Sequence, residues 1–302
     1  MLFGIVALLI NQFFGNSVVP IGTKIAVPFV GPLIFVTFRF IIGAVVLFII
    51  FLFSEKKTLK LSEYYDFILL GFLLMINVGT FTFAIIHTTV IMSTLIFSMT
   101  PVLVGVGAHF FLQEKFDRQK LAGLLVSFIG LLFLLSQSLT QNKHNIFGEP
   151  IGNILICIST VGYSCYLLYS RKVLHKKGNY PIQTTFLTFT IAAIFFVLIS
   201  LCSLLLGGIE IKPISSFGIW GMVIVGIGSV IQYLMLQIGV KKTNAFTASL
   251  FQYIGPFIAA SITIPYLHEQ VTLQLLFGGL LVLIGVFIAT TYKHLRRKST
   301  IA

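Results

Sequence analysis

Residues 101–130 read PVLVGVGAHFFLQEKFDRQKLAGLLVSFIG, and residues 256–285 read PFIAASITIPYLHEQVTLQLLFGGLLVLIG. Pro101, Glu114, Gly123 and Gly130 in the first stretch match Pro256, Glu269, Gly278 and Gly285 in the second, each displaced by 155 positions. Matches between Leu and Ile carry little information in so apolar a chain, but Pro, Glu and Gly are scarce enough to do so. The chain is therefore a duplication, and its fold is that of a repeated unit.

Outward from these blocks the chain is almost continuously apolar. Of its 302 residues 57% are hydrophobic and 9% charged, and the mean hydropathy is +1.04, which excludes an ordinary soluble domain. A helix needs about 20 apolar residues to cross hydrocarbon. Runs bounded by charges or turn residues predict ten spans, at 2–19, 32–53, 66–86, 90–112, 119–136, 150–170, 182–206, 217–238, 246–267 and 273–291. Runs such as residues 47–53 lack the polar/apolar alternation of a membrane barrel strand. The apolar N-terminus has no Lys or Arg before Lys24 and continues to Val19, so it reads as an uncleaved first span.

With the N-terminus inside, 16 Lys and Arg fall in inside connections and three (Lys24, Lys143, Lys212) in outside ones. Cytoplasmic loops carry such an excess, so both termini are expected in the cytoplasm of a cell bearing this protein in its inner or plasma membrane. The net charge of +12 is thereby spread between spans and forms no basic patch for nucleic acid. Five spans per unit is an odd number, so the second unit must enter the bilayer from the opposite side. The expected organisation is a first repeat over 1–140, a second over 148–292 and a basic tail over 293–302. The fold class is an all-α membrane protein of ten transmembrane helices arranged as two inverted five-helix repeats, a construction typical of secondary transporters.

On these residues the chain resembles the drug/metabolite transporter superfamily, specifically its ten-helix EamA-type family. The resemblance is carried by the two blocks Pro101, 112–114, Gly123, Gly130 and Pro256, 267–269, Gly278, Gly285, by Arg39 in the second span, and by Gly15 and Asn16 in the first. Members often place a Trp in the first and sixth spans, where this chain has Phe14 and Gly162–Tyr163. The resemblance implies transport, often export, of amino acids, other small metabolites or drugs through a cavity lined by both repeats.

The individual residues give the candidates. Arg39 is the one formal charge well inside a predicted span, seven residues from its outer end, and an intramembrane cation is by default a functional candidate. It either attracts a solute carboxylate or pins neighbouring groups; its repeat counterpart is Thr190. Polar residues at helical spacing suggest a cavity: Gln12 and Asn16, Asn77 and Thr80, Thr94 and Ser98, Gln252 and Pro256, with Tyr163, Gln232 and Tyr253. The same side chains could instead cross-link helices. Pro101 and Pro256 interrupt the backbone ladder of their spans and are expected to bend them. Glu114 and Glu269 are expected to neutralise the positive N-terminus of the helix that follows each.

Other classes of function find little support. Cys157, Cys165 and Cys202 all lie in apolar runs, His87 and His109 are isolated, and no cofactor or metal set is visible. His268-Glu269 is not followed by a second His at the spacing of a zinc protease, and there is no Gly-x-Ser-x-Gly or phosphate loop. No Asp or Glu lies near a span centre, which argues against proton-coupled export of cationic drugs. The expectation is a carrier of zwitterionic or anionic small metabolites, an exporter or exchanger, contacting solute through Gln12, Asn16, Arg39, Asn77, Thr94, Ser98, Tyr163, Gln232, Gln252 and Tyr253. A multidrug, lipid-handling or channel-like membrane protein is the alternative; the partners expected are a small molecule and the bilayer, with a homodimer left open.

Overall fold

A computed structural model describes residues 2–54, 58–59, 61–112, 118–140, 144–176, 180–207, 215–243 and 245–299. Among them, eight helical stretches are long and apolar enough to cross a membrane, and two shorter apolar helices, 121–137 and 273–285, complete ten. With no water in the bilayer core, each stretch satisfies its own backbone, which is why helices are the solution here.

The first span is α1 (Leu2–Asn16) followed by α2 (Val18–Val30). The second and third are α3 (Pro32–Leu52) and α4 (Leu61–Ala84). The fourth is α5 (Val90–Phe97) with α6 (Thr100–Leu112), and the fifth is α7 (Arg118–Thr140). A short α8 (His144–Phe147) links the repeats. The second repeat comprises α9 (Pro150–Leu174), α10 (Pro181–Leu205), α11 (Ser216–Lys242), the broken pair α12 (Ala245–Leu250) and α13 (Gly255–Leu267), and α14 (Leu273–Ser299).

Two expectations about boundaries change. Residues 20–30, which the predicted spans leave with Lys24 in the first outside connection, are helical, and the turn into α3 is made at Gly31 alone, at φ 86°. Pro20 sits in the first turn of α2, where its missing N–H costs nothing, and the Lys24 charge is neutralised by protein instead of water. The expected tail likewise begins as helix, since α14 runs to Ser299.

The inversion is visible in the packing of α7 on α14. A Cβ on Gly130 would lie 2.7 Å from Val282 N and 3.0 Å from Gly278 O. A Cβ on Gly285 would lie 2.2 Å from Ser127 N and 2.7 Å from Gly123 O. Displacing the first set by 155 gives the second with its partners exchanged, so the contact is two-fold symmetric. Rising numbers on one helix meet falling numbers on the other, so the two helices run antiparallel. The glycines of the duplicated motif are there because the seam brings backbone against backbone, and in lipid such close packing, not hydrophobic exclusion, drives association.

The other main packing pairs also join one repeat to the other. Gly4, Leu8 and Asn11 of α1 meet Lys242, Gly239 and Gln232 of α11. Gly43 of α3 packs on Phe189 of α10, and Asn77 of α4 bonds Ser159 of α9. A core of Phe40, Phe189 and Phe196, with centroids 5.1 and 5.3 Å from Phe40, fills the space between α3 and α10. Tyr166 and Tyr233 extend it edge-on at 5.8 Å.

Candidate functional site: a polar cavity where three spans are interrupted

Among the described residues, three of the ten spans do not cross as continuous helices. The first breaks at Ser17, at φ −129° and ψ −82°. The fourth breaks at Ser98–Met99, and the ninth passes through a 3₁₀ turn at Phe251–Ile254. The duplicated prolines explain the last two: Pro101 and Pro256 are each the second residue of a new half-helix, in the first turn where proline loses no intrahelical bond. The expected bends are thus full interruptions. They also meet, for a Cβ on Gly255 would lie 2.7 Å from Asn16 Oδ1, next to the break in the first span.

Around this level lies a cavity of about 50 Å³ as swept by the centre of a water-sized sphere, enough for a few waters. Eight of the ten residues expected to contact solute line it: Gln12, Asn16, Arg39, Asn77, Thr94, Tyr163, Gln232 and Gln252. Ser98 and Tyr253 do not. The Ser98 hydroxyl is wholly buried and donates to Thr94 O at 2.9 Å, closing the broken end of α5. Tyr253 packs with the apolar cluster of α5, α7 and α14. Among the other residues of the wall, Asn11, Ser93, Phe97 and Tyr233 were not singled out in the sequence.

The polar lining is organised as two networks. Asn16 Nδ2 donates to Gln12 O at 2.9 Å and Gln12 Oε1 at 2.7 Å, Gln12 Nε2 donates to Asn11 Oδ1 at 3.1 Å, and Asn11 Nδ2 donates to Gln232 O at 2.9 Å. This chain fastens α1 to α11. Opposite it, Asn77 Nδ2 donates to Ser159 O and Oγ at 3.1 and 3.0 Å, Ser159 Oγ returns a bond to Asn77 O at 2.7 Å, and Tyr233 donates to Asn77 Oδ1 at 2.7 Å. Each network joins the two repeats.

Arg39 is the charged member of the wall and is 2% exposed. Its Nε donates to Ser229 Oγ at 2.7 Å, while Nη1 has no partner. Among the described residues no carboxylate lines the cavity or pairs with Arg39. Burying a guanidinium without an anion costs several kcal/mol by order of magnitude, so the site favours an anionic group. Gln232 Oε1, in the same wall, is a buried acceptor without a donor.

Glu114 lies outside the described residues. Glu269 does neutralise a helix N-terminus, but not that of the following helix. Its Oε1 accepts from Val90 N at 2.7 Å and its Oε2 from Ile91 N at 3.0 Å, capping α5 of the other repeat. Lys24 Nζ lies 3.2 Å from Oε1. The following helix, α14, is capped by Thr272, whose Oγ1 accepts from Leu275 N at 3.3 Å. Glu269 caps α5 because the antiparallel repeats bring the start of α5 beside the end of α13.

The profile of the EamA-like transporter family matches residues 2–136 and 150–291. The uncharacterized transporter YyaM of Bacillus subtilis is 26% identical over 276 residues, covering 88% of this chain and 87% of that protein. The uncharacterized transporter YoaV of the same organism is 24% identical, covering 92% and 93%. An uncharacterized transporter of Clostridium kluyveri is 25% identical, covering 82% and 80%. A solved crystal structure, 18% identical, superposes with a TM-score of 0.63 over 96% of both chains, which extends the likeness to the fold.

Proposed function

Because the chain belongs to the EamA-like transporter family, and is thus a multi-pass membrane transporter, we propose that it carries small zwitterionic or anionic metabolites, such as amino acids, by alternating access as an exporter or exchanger. The observation that carries this reading is the buried guanidinium of Arg39, without a carboxylate, in a cavity walled by both inverted repeats. At about 50 Å³ the cavity is too small for a metabolite, so a solute requires it to widen. Two inverted halves that exchange conformations around such a site would open it first to one face and then to the other. The absence of a carboxylate among the described residues of the wall supports exchange or gradient-driven export over coupling to a proton held in the site. The excess of Lys and Arg on one side supports cytoplasmic termini in the inner or plasma membrane.

Counterflow in proteoliposomes tests this, because only a carrier exchanges labelled against unlabelled solute. Radiolabelled alanine, serine and lactate are offered to the parent chain and to Arg39→Gln. Exchange of at least one in the parent, reduced tenfold or more in the variant, is expected. Equal exchange in the two would remove the assignment of Arg39, and uptake without counterflow would replace the carrier by a channel.

A further inference from the structure

A second recess, of about 410 Å³, opens beside Lys24 of α2, at the end of the molecule where α5 and α9 begin and α13 ends. Lys24, His87, Thr89, Glu149, His268 and Glu269 are among its walls. Its relation to the central cavity follows from helix geometry. Pro20 and Ser93 line the central cavity, while Lys24 and Thr89, each four residues nearer the end, line the outer recess. Four residues of helix rise ~6 Å. A barrier one helical turn thick therefore separates the two spaces. Its filling is apolar: Ile85, Val90 and Ala259 are each fully buried and pack together with Phe81 and Leu267.

The turn is tied to α9 by Thr88 Oγ1, which donates to Asn153 Oδ1 at 2.6 Å, and to α2 and the end of α13 by one carboxylate. Glu269, from the second repeat, takes the first two N–H groups of α5 and the amine of Lys24 on α2, both from the first repeat. Lys24 Nζ also donates to Thr88 O at 2.7 Å. The side chain of Glu269 is 5% exposed, so leaving this position means rehydrating a buried charge and uncapping a helix. We propose that the outer recess and the central cavity are two parts of one solute path, and that Glu269, with Lys24, is the latch of the thin gate between them. Glu269 is then a positioning residue of the transport cycle: its three donors hold α2 and α5 against α13, and the path opens on this side when they are given up. The inference rests on the alternating-access reading above, but its test is separable.

The reporter is Ser93→Cys, on the cavity side of the gate, in a full-length chain with Cys157, Cys165 and Cys202 replaced by Ala. A membrane-impermeant thiol reagent is added to either face of proteoliposomes, with Gln270→Cys, in the outer recess, identifying the latch face. Labelling of Ser93→Cys from the latch face is expected to rise tenfold or more in Glu269→Ala and in Lys24→Met, with no rise from the opposite face. Rates within twofold of the parent in both variants overturn the latch. A second measurement closes the gate covalently instead of opening it: Lys24→Cys with Glu269→Cys, joined by a bismaleimide that carries an internal disulfide, is expected to abolish counterflow of whichever of alanine, serine or lactate the parent exchanges, and reductive cleavage of the linker to restore it. A linked protein that still exchanges solute overturns the proposal. Faster labelling in a chain that performs no counterflow supports the latch and removes the carrier reading instead.

Discussion

Replacing Gly285 by Ala tests the seam that relates the two repeats. The added Cβ would sit 2.2 Å from Ser127 N and 2.7 Å from Gly123 O. Ordinary contact begins near 3.4 Å, so the overlap is about 1.2 Å, and both obstructing atoms belong to backbone that no rotamer change can move aside. The two helices must part by about 1 Å, and a gap of that size forfeits roughly a quarter to a half of the dispersion energy of each pair along the contact. Overpacking of this kind costs about 1–3 kcal/mol. Gly130→Ala, whose nearest atom is 2.7 Å away, should cost less. Gly279→Ala meets only the Leu95 side chain at 3.0 Å and should cost least of the three. Gly105→Ala, with nothing within 4 Å, is the control and should be neutral or slightly favourable. Midpoints of heat-induced unfolding of the purified proteins in one detergent give the order, with Gly285→Ala several degrees below the parent. Equal midpoints for Gly285→Ala and Gly105→Ala would refute the close antiparallel seam and the inverted arrangement argued from it.

The network around Asn77 gives a second ordering. Asn77→Ala deprives the Tyr233 hydroxyl of its acceptor and removes both Nδ2 bonds to Ser159, while the Ser159 Oγ bond to the backbone oxygen of residue 77 survives, and should destabilise by about 2–3 kcal/mol, whereas Tyr233→Phe removes one donor and should cost about 1 kcal/mol; the same thermal assay separates them. At the opposite end from the latch, Asp66 accepts from Tyr169 at 2.6 Å and pairs with Lys176. Lys176→Met should lower stability by no more than about 1 kcal/mol and reduce the dependence of the midpoint on salt, because the amine is 41% exposed. A larger loss would mean that this pair does more than decorate a loop.

Much of the architecture is legible in the sequence because the bilayer leaves few alternatives. Apolar runs of spanning length have to be helices, and a scarce Pro, Glu or Gly repeated at a fixed displacement has to mark a repeat. The cavity was partly legible for the same reason: a polar side chain in a span is costly unless it turns inward, so Gln12, Asn77 and Gln232 announce themselves. Asn11 and Tyr233 were harder to place because each adjoins a chosen residue, about 100° around its helix, and the sequence does not say which of two such neighbours faces the centre. Ser98 and Tyr253 failed for the complementary reason. They lie at the interruptions, where one hydroxyl is consumed by its own backbone and one ring is claimed by the neighbouring core. Lys24, Pro20 and Pro28 suggest a loop only when read locally. The carboxylate that lets Lys24 lie within a helix is 245 residues away.

The seam between α7 and α14 has a mechanical consequence. A two-fold axis passes through it, and the exchange of shapes between the halves that alternating access requires is the operation of that same axis. A contact mapped onto itself by the operation is identical before and after, so Gly130 on Val282 and Gly285 on Ser127 need not loosen while the spans around the cavity tilt. In an alternating-access cycle of the kind proposed above, the duplicated glycines would form a fulcrum, stiff because backbone meets backbone at Gly130 and Gly285 and unchanged whichever face of the membrane is open.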